Sequence, residues 1–273
     1  MDLIQAIVLG FVQGLTEFIP VSSVAHLRLT AAFLGWKDQG AAFDAVVQLG
    51  SIAAVLIYFR KDIGKVFMGW VRSFKGGEHT KTMDARIGWA IFVGTIPIAI
   101  IGYSLRHLVD GAFRSLYVIA GALIGLAVLL IFAELLAQHK RKLEDINIKR
   151  GFIIGMWQCL AIVPGMSRSG STITGALFDG FERTTAAKFS FLLGIPAFIA
   201  AAVFNLKEHA HKFLGQDLLP FIVSNMVSFI VGYWAIDFLM KYLQKRTMAL
   251  FIVYRIAMGS LLLVLLSMGV LQP

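Results

Sequence analysis

Six stretches of the chain are apolar over lengths that match a lipid bilayer. They run over 43–59, 87–105, 116–136, 186–205, 218–240 and 248–269, and about 20 apolar residues carry one helix across hydrocarbon. Two further apolar stretches, 3–35 and 151–180, are interrupted. In the first, Gln13, Thr16 and Glu17 follow an apolar start. Pro20, Ser22, Ser23 and His26 come next, and apolar character then returns as far as Leu34. In the second, Pro164-Gly165 and a run of hydroxyls break the pattern. Each predicts a re-entrant helical hairpin, the first turning near Pro20. Broken backbone at membrane depth is tolerated only where protein buries it or a cavity receives it.

Composition agrees. Of 273 residues, 58% are hydrophobic and 15% charged, with a mean hydropathy of +0.78, whereas soluble domains carry about 25% charge. The expected fold is an all-α integral membrane protein with six transmembrane helices and two re-entrant hairpins, in one membrane domain over 1–273. A net charge of +9 could suggest nucleic acid, but the basic residues sit in loops rather than in a binding stripe. Arg60, Lys61, Lys65, Arg72, Lys75 and Lys81 share the loop leading to Arg86. Lys140, Arg141, Lys142, Lys149 and Arg150 share the next, and Lys241, Lys245 and Arg246 the last. Such loops are expected on the cytoplasmic side. The span count then closes only if 3–35 enters from outside and 151–180 from the cytoplasm, with both termini outside. The opening Met-Asp-Leu-Ile-Gln, with no basic region, predicts no cleavable signal peptide. The single Cys159 excludes an intramolecular disulfide.

The two halves resemble each other. Gly10-x-x-Gln13-x-Leu15 returns as Gly155-x-x-Gln158-x-Leu160, an offset of 155 − 10 = 145. Pro20, Ser22 and Ser23 are answered by Pro164, Ser167 and Ser169, and Phe43 with Leu49-Gly50 by Phe189 with Leu193-Gly194. An odd number of spans per half makes the repeat inverted, over 1–136 and 151–273. That architecture places a site where two broken segments meet near the midplane.

The richest polar run is 162–174. It gathers Arg168 with Ser167, Ser169, Ser171 and Thr172, and sets Gly165 and Gly170 among them. A guanidinium fork fits phosphate bidentately, and glycine lets backbone approach a ligand. An intramembrane cation marks a functional site by default. The plainer alternative is an arginine neutralised by a carboxylate such as Glu17. Gln13 and Glu17 stand i and i+4, so they share a helix face and could hold Mg²⁺ or Ca²⁺ together with phosphate oxygens. His26 follows Ser22 and Ser23 by four and three residues, a spacing that lets an imidazole reach a hydroxyl on a helix. A hydroxyl beside a base is the minimal unit of nucleophilic catalysis. Ser-x-x-His alone is more often a helix cap, and only beside the arginine and its serines does it suggest phosphoryl transfer. Asp44 could orient the site, Asp237 and Lys241 form a helix-end pair, Glu134 is interfacial, and Arg255 needs a partner inside its span. His79, His107, His139, His209 and His211 show no metal-ligand spacing.

The runs Gln13-Gly-Leu-Thr-Glu17-Phe-Ile-Pro-Val-Ser22-Ser23-x-x-His26 and Pro164-Gly-Met-Ser167-Arg168-Ser169-Gly-Ser-Thr172 closely resemble the undecaprenyl-diphosphatase family known for bacitracin resistance. The similarity extends over essentially the whole chain, including the Tyr254-Arg255 neighbourhood. That family takes Glu or Gln at the first acidic position, and Gln13 here places the burden of any metal on Glu17. The resemblance implies hydrolysis of undecaprenyl diphosphate to undecaprenyl phosphate and inorganic phosphate. It implies a bacterial plasma membrane, a divalent cation and a site open to the outer face. The lipid substrate and the bilayer are the implied partners, nucleic acid is not, and a homodimer is compatible with such a chain.

Carried over, Glu17, Ser22, Ser23, His26, Ser167, Arg168, Ser169 and Thr172 form the functional set. Ser23 attacking with His26 as its base is favoured. Direct attack by His26, or by water that His26 assists, stays open. A transporter or flippase of a lipid phosphate or small anion is the alternative, since inverted repeats with broken helices also build transporters. Transport needs anion donors but no nucleophile and base. No continuous polar stripe lines the spans, which disfavours an ion channel.

Overall fold

The computed structural model describes residues 1–105, 107–108, 111–209, 215 and 218–272. Among them the secondary structure is helical, with one isolated β-bridge. Six helices are long and apolar enough to cross a membrane. They are α3 (Ala41–Tyr58), α5 (Met83–Ser104), α6 (Leu116–Leu136), α9 (Arg183–Glu208), α10 (Leu218–Leu243) and α11 (Ala249–Ser267). Each coincides with a span read from hydropathy to within four residues at either end. His211, and part of the segment between His107 and Arg114, lie outside the described residues.

Both interrupted stretches form two helices with a break between them. The first gives α1 (Leu3–Phe18) and α2 (Ser23–Phe33). The second gives α7 (Ile148–Gln158), a 3₁₀ turn over Cys159–Ile162, and α8 (Arg168–Phe178). Asp2 caps α1 in a capping box with Gln5, and Asn147 caps α7 by accepting from the Arg150 N–H.

One element contradicts the sequence reading. The basic loop after residue 59 contains α4 (Arg60–Ser73). Its apolar residues Ile63, Val66, Phe67, Trp70 and Val71 recur at helical intervals among the lysines. Charge density had masked that period. Phe67, Met68 and Val71 on it are exposed, while Trp70 stacks on Phe92 of α5 with ring centroids 5.8 Å apart.

Packing alternates between the halves. α1 lies against α10 and α7 against α5, α3 contacts both α9 and α10, and α6 pairs with α11. Close approach rests on small residues, as between helices in lipid. A Cβ on Gly14 would stand 2.6 Å from the Ser228 carbonyl oxygen of α10, and one on Gly155 would fall on the Gly94 backbone of α5. Ion pairs tie the ends. Glu134 accepts from Arg183 at 2.6 Å and from the Met248 N–H at 2.9 Å. Arg114 bridges Asp38 at 2.7 Å and the buried Asp44 at 2.6 Å. Asp237 pairs with Lys241 at 2.7 Å.

Gly14→Leu should therefore destabilise the protein by at least the roughly 1–3 kcal/mol of an overpacked contact. Thermal unfolding in detergent would read this as a lowered midpoint, against an unchanged one for Gly64→Leu, where nothing lies within 4 Å of the added carbon.

Candidate active site

Where a helix breaks inside an apolar interior, its freed N–H and C=O groups need partners. Two serines supply them. Ser22 begins α2 and Ser167 begins α8, and each caps its helix through its hydroxyl, towards the Ala25 and Gly170 N–H groups. Both sit at positive φ, 80° and 60°, a backbone state costly for a residue with a side chain. The Ser22 hydroxyl also accepts from the Gly165 N–H at 3.1 Å, and the Ser169 hydroxyl donates to the Glu17 carbonyl at 3.2 Å. Each break thus supplies hydrogen bonds to the other.

Arg255 of α11 closes the assembly. It is fully buried, and its partners are four backbone carbonyls. It donates to Pro20 at 3.0 Å, Gly165 at 2.7 Å, Ala122 at 3.1 Å and Leu123 at 3.1 Å. One guanidinium therefore joins both breaks to α6. This is the partner that its place in the last span required.

Beside this frame lie the chemical groups. Glu17 Oε2 accepts from Gln13 Nε2 at 2.7 Å and from the Ser23 hydroxyl at 2.6 Å, and Glu17 Oε1 faces Arg168 at 3.7 Å. Gln13, Glu17 and Ser23 are all buried. Arg168 donates to the Ser190 carbonyl at 2.8 Å and stacks 4.1 Å above the Phe198 ring. Its Nε and second terminal nitrogen have no hydrogen-bond partner among the described residues. Glu17 thus does not saturate the guanidinium, and an unfilled buried donor calls for a ligand. Gly194 makes room for it, since a Cβ there would overlap the guanidinium.

The remaining hydroxyls have local partners. Thr172 Oγ1 lies 2.5 Å from the Ser190 hydroxyl and 2.8 Å from the Arg168 carbonyl oxygen. Ser167 and Ser169 are 3.2 Å apart, and Ser171 donates to the Met166 carbonyl. Ser190 and Phe198, both on α9, hold the arginine, and no local motif in the sequence singles either out.

His26 is placed differently from the reading of its spacing. Its Nδ1 lies 2.7 Å from the Ser22 carbonyl oxygen and its Nε2 lies 2.6 Å from the Tyr254 hydroxyl. The Ser23 hydroxyl is already engaged by Glu17, and the capping residue's carbonyl lies four residues back along the turn. Helical spacing could not reveal the Ser23–Glu17 bond, which crosses the break between α1 and α2, or Tyr254, which lies 228 residues from His26.

Among the described residues Gln13 Oε1 is buried without a partner, and Glu17 Oε1 has only the long contact to Arg168. An amide oxygen and a carboxylate oxygen are the hard donors that an oxygen-seeking cation such as Mg²⁺ or Ca²⁺ takes. Among the described residues no three His, Cys, Asp or Glu side chains converge, so further ligands would have to come from a phosphate.

The family model described as bacitracin resistance protein BacA matches residues 6–261. An undecaprenyl-diphosphatase of Myxococcus xanthus is 50% identical over all of this chain and 92% of its own length. One from Chloroherpeton thalassium is 47% identical over all of this chain and 99% of its own. Undecaprenyl-diphosphatase 2 of Streptomyces coelicolor is 45% identical, with 100% and 98% covered.

Arg255→Lys should fail to replace the arginine, because one ammonium has three donors and four carbonyls need filling. The expected result is a loss of about 2–4 kcal/mol, read as a lower unfolding midpoint, with turnover falling in parallel.

Proposed function

The chain belongs to the bacitracin resistance protein BacA family, and on that premise we propose that it hydrolyses undecaprenyl diphosphate to undecaprenyl phosphate and inorganic phosphate. The observation that carries this reading is an arginine with buried donors to spare, 3.7 Å from a carboxylate that already accepts from a serine hydroxyl. Charge neutralisation and positioning dominate phosphoryl transfer, and the first two components of such a site are here.

The six spans make it a multi-pass membrane protein. We read both broken segments as re-entrant hairpins within one domain, built as an inverted repeat over 1–136 and 151–273. The exchanged contacts α1 with α10 and α7 with α5 support this, as do the capping serines at an offset of 167 − 22 = 145. The basic loops would then face the cytoplasm of a bacterial plasma membrane. The site would open outward, so that the diphosphate head meets it while the polyprenyl tail stays in lipid.

In this reading Ser23 is the nucleophile and Glu17, rather than His26, is its base. The Ser23 oxygen forms a bond to the terminal phosphorus as the bridging P–O bond breaks. The electron pair leaves with undecaprenyl phosphate, and the serine proton passes to Glu17 Oε2. Arg168, together with Ser167 and the α8 N-terminus, holds the transferred phosphoryl oxygens. Ser22, Ser169 and Thr172 hold the loops that present it. Water then attacks the phosphoserine, His26 takes a proton from that water, and Ser23 leaves as its oxygen recovers the proton from Glu17. A divalent cation held by Gln13, Glu17 and the diphosphate oxygens would neutralise charge on the group in transit.

Purified protein should release phosphate from a polyprenyl diphosphate, and a chelator should suppress the release. Ser23→Ala, Glu17→Gln and Arg168→Ala should each lower turnover by about 10²–10³-fold while the protein stays folded. Undiminished turnover in Ser23→Ala would sink the nucleophile assignment. A flippase needs the arginine but not the Ser23–Glu17 bond, so lipid translocation that persists in Ser23→Ala without any hydrolysis in wild type would favour that alternative. His26→Ala should accumulate a phosphorylated enzyme, detectable by mass spectrometry as an acid-stable adduct on Ser23.

A further inference from the structure

The last helix carries a residue beside Arg255 that the reaction scheme leaves unused. The Tyr254 hydroxyl lies 2.6 Å from His26 Nε2, and the two rings stack with centroids 5.6 Å apart and planes 17° from parallel. Tyr254 is 37% exposed and His26 half-buried, so the pair lies where α2 meets α11 at the edge of the site.

The ring's other contact fixes its tautomer. His26 Nδ1 lies 2.7 Å from the Ser22 carbonyl oxygen, which can only accept, so Nδ1 carries a proton in every protonation state. In the neutral ring Nε2 is then the lone-pair nitrogen, and it faces the tyrosine. A phenol both donates and accepts. Its hydroxyl donates to Nε2 of the neutral ring and, after rotation, accepts from Nε2–H of the imidazolium. Tyr254 can therefore keep a hydrogen bond to His26 on both sides of a proton transfer.

We propose that Tyr254 is a positioning residue for His26, orienting its ring and holding Nε2 in both protonation states; since its hydroxyl occupies the one lone pair of Nε2, the hydroxyl's own proton passes to the ring as its oxygen takes the proton from water. The proposal rests on the catalytic role given to His26 above. The charged group acting on the ring is Arg255, from the same helix as Tyr254, with its guanidinium turned to the four carbonyls; α1, which also packs on α2, carries Glu17, turned to Gln13, Ser23 and Arg168. The cluster around α2 contributed by α6 and α11 is otherwise apolar, through Leu116, Ile119, Leu123, Leu262 and Leu266. The tyrosine hydroxyl is thus the uncharged polar partner that adapts to the ring's charge.

The sign of its effect follows from the two bonds. A bond accepted from a charged donor is about twice as strong as a neutral one, so Tyr254 favours the imidazolium more than the neutral ring. Tyr254→Phe keeps the stack and removes only the hydroxyl. It should lower the midpoint of His26 titration by about half to one pH unit, followed in ¹³C-labelled histidine spectra assigned through His26→Gln. The acidic limb of kcat should move to lower pH by the same amount, and kcat should fall about tenfold with kcat/KM nearly unchanged, because His26 acts after undecaprenyl phosphate has left. A His26 midpoint that stays put or rises in folded Tyr254→Phe overturns the positioning role. Full turnover in His26→Ala would instead overturn the catalytic role of His26, and the spectral shift would still report whether the tyrosine governs the ring.

Discussion

Two helices are interrupted in the interior of this protein, and everything else depends on how the exposed backbone at those breaks is satisfied. An unpaired buried carbonyl or N–H costs about 1–3 kcal/mol, and each break frees several. Ser22 and Ser167 accept the positive φ that their turns impose and return a hydroxyl to the helix that follows. Cross-links from Ser22 to Gly165 and from Ser169 to Glu17 make each break a partner of the other. Arg255 then fixes both to α6. The breaks are consequently rigid, which a site for phosphoryl transfer requires, because its catalysis is largely geometric.

Arg255 and Arg168 show how the same side chain serves opposite ends. Arg255 makes four hydrogen bonds to carbonyls, so its charge is spread over fixed dipoles and it has little left to offer a ligand. Arg168 makes one hydrogen bond, to Ser190, one long ion pair to Glu17 and a stacking contact with Phe198. Removing a cation from water without pairing it is costly, and the unfilled nitrogens are the reason for proposing that an anion sits there. Their place inside apolar segments alone would not tell these residues apart. The count of satisfied donors does.

The spans and the positions of the two breaks were legible because hydropathy and proline report locally. The helix α4 was not, since its lysines hid an apolar period that Ile63, Val66 and Trp70 nevertheless keep. At the site, Gln13 and Glu17 could be placed on one face because they stand a turn apart on an unbroken helix. The bond from Ser23 to Glu17 spans six residues across a break, where no helical rule applies. Arg255 announced itself as a charge in an apolar helix, though its partners are carbonyls and leave no mark in side-chain sequence. Tyr254 gave no local signal beside His26, because their meeting is a product of the fold.

On the inverted-repeat reading, the frame is symmetric and the chemistry is not. At the offset of 145, Ser22 corresponds to Ser167 and the residues after them are Ser23 and Arg168. Equivalent positions just past two equivalent caps thus supply a serine, the proposed nucleophile, from one half and a cation from the other. Gln13 corresponds to Gln158, which is buried with neither polar side-chain atom bonded among the described residues. Glu17 corresponds to Ile162, so the second half has no carboxylate to bind its glutamine or to activate a hydroxyl. A duplicated fold would allow two sites facing opposite sides of the membrane. On the proposed roles, with Glu17 as base in the first half and Arg168 as phosphate holder in the second, only one complete set of groups forms, where the breaks meet.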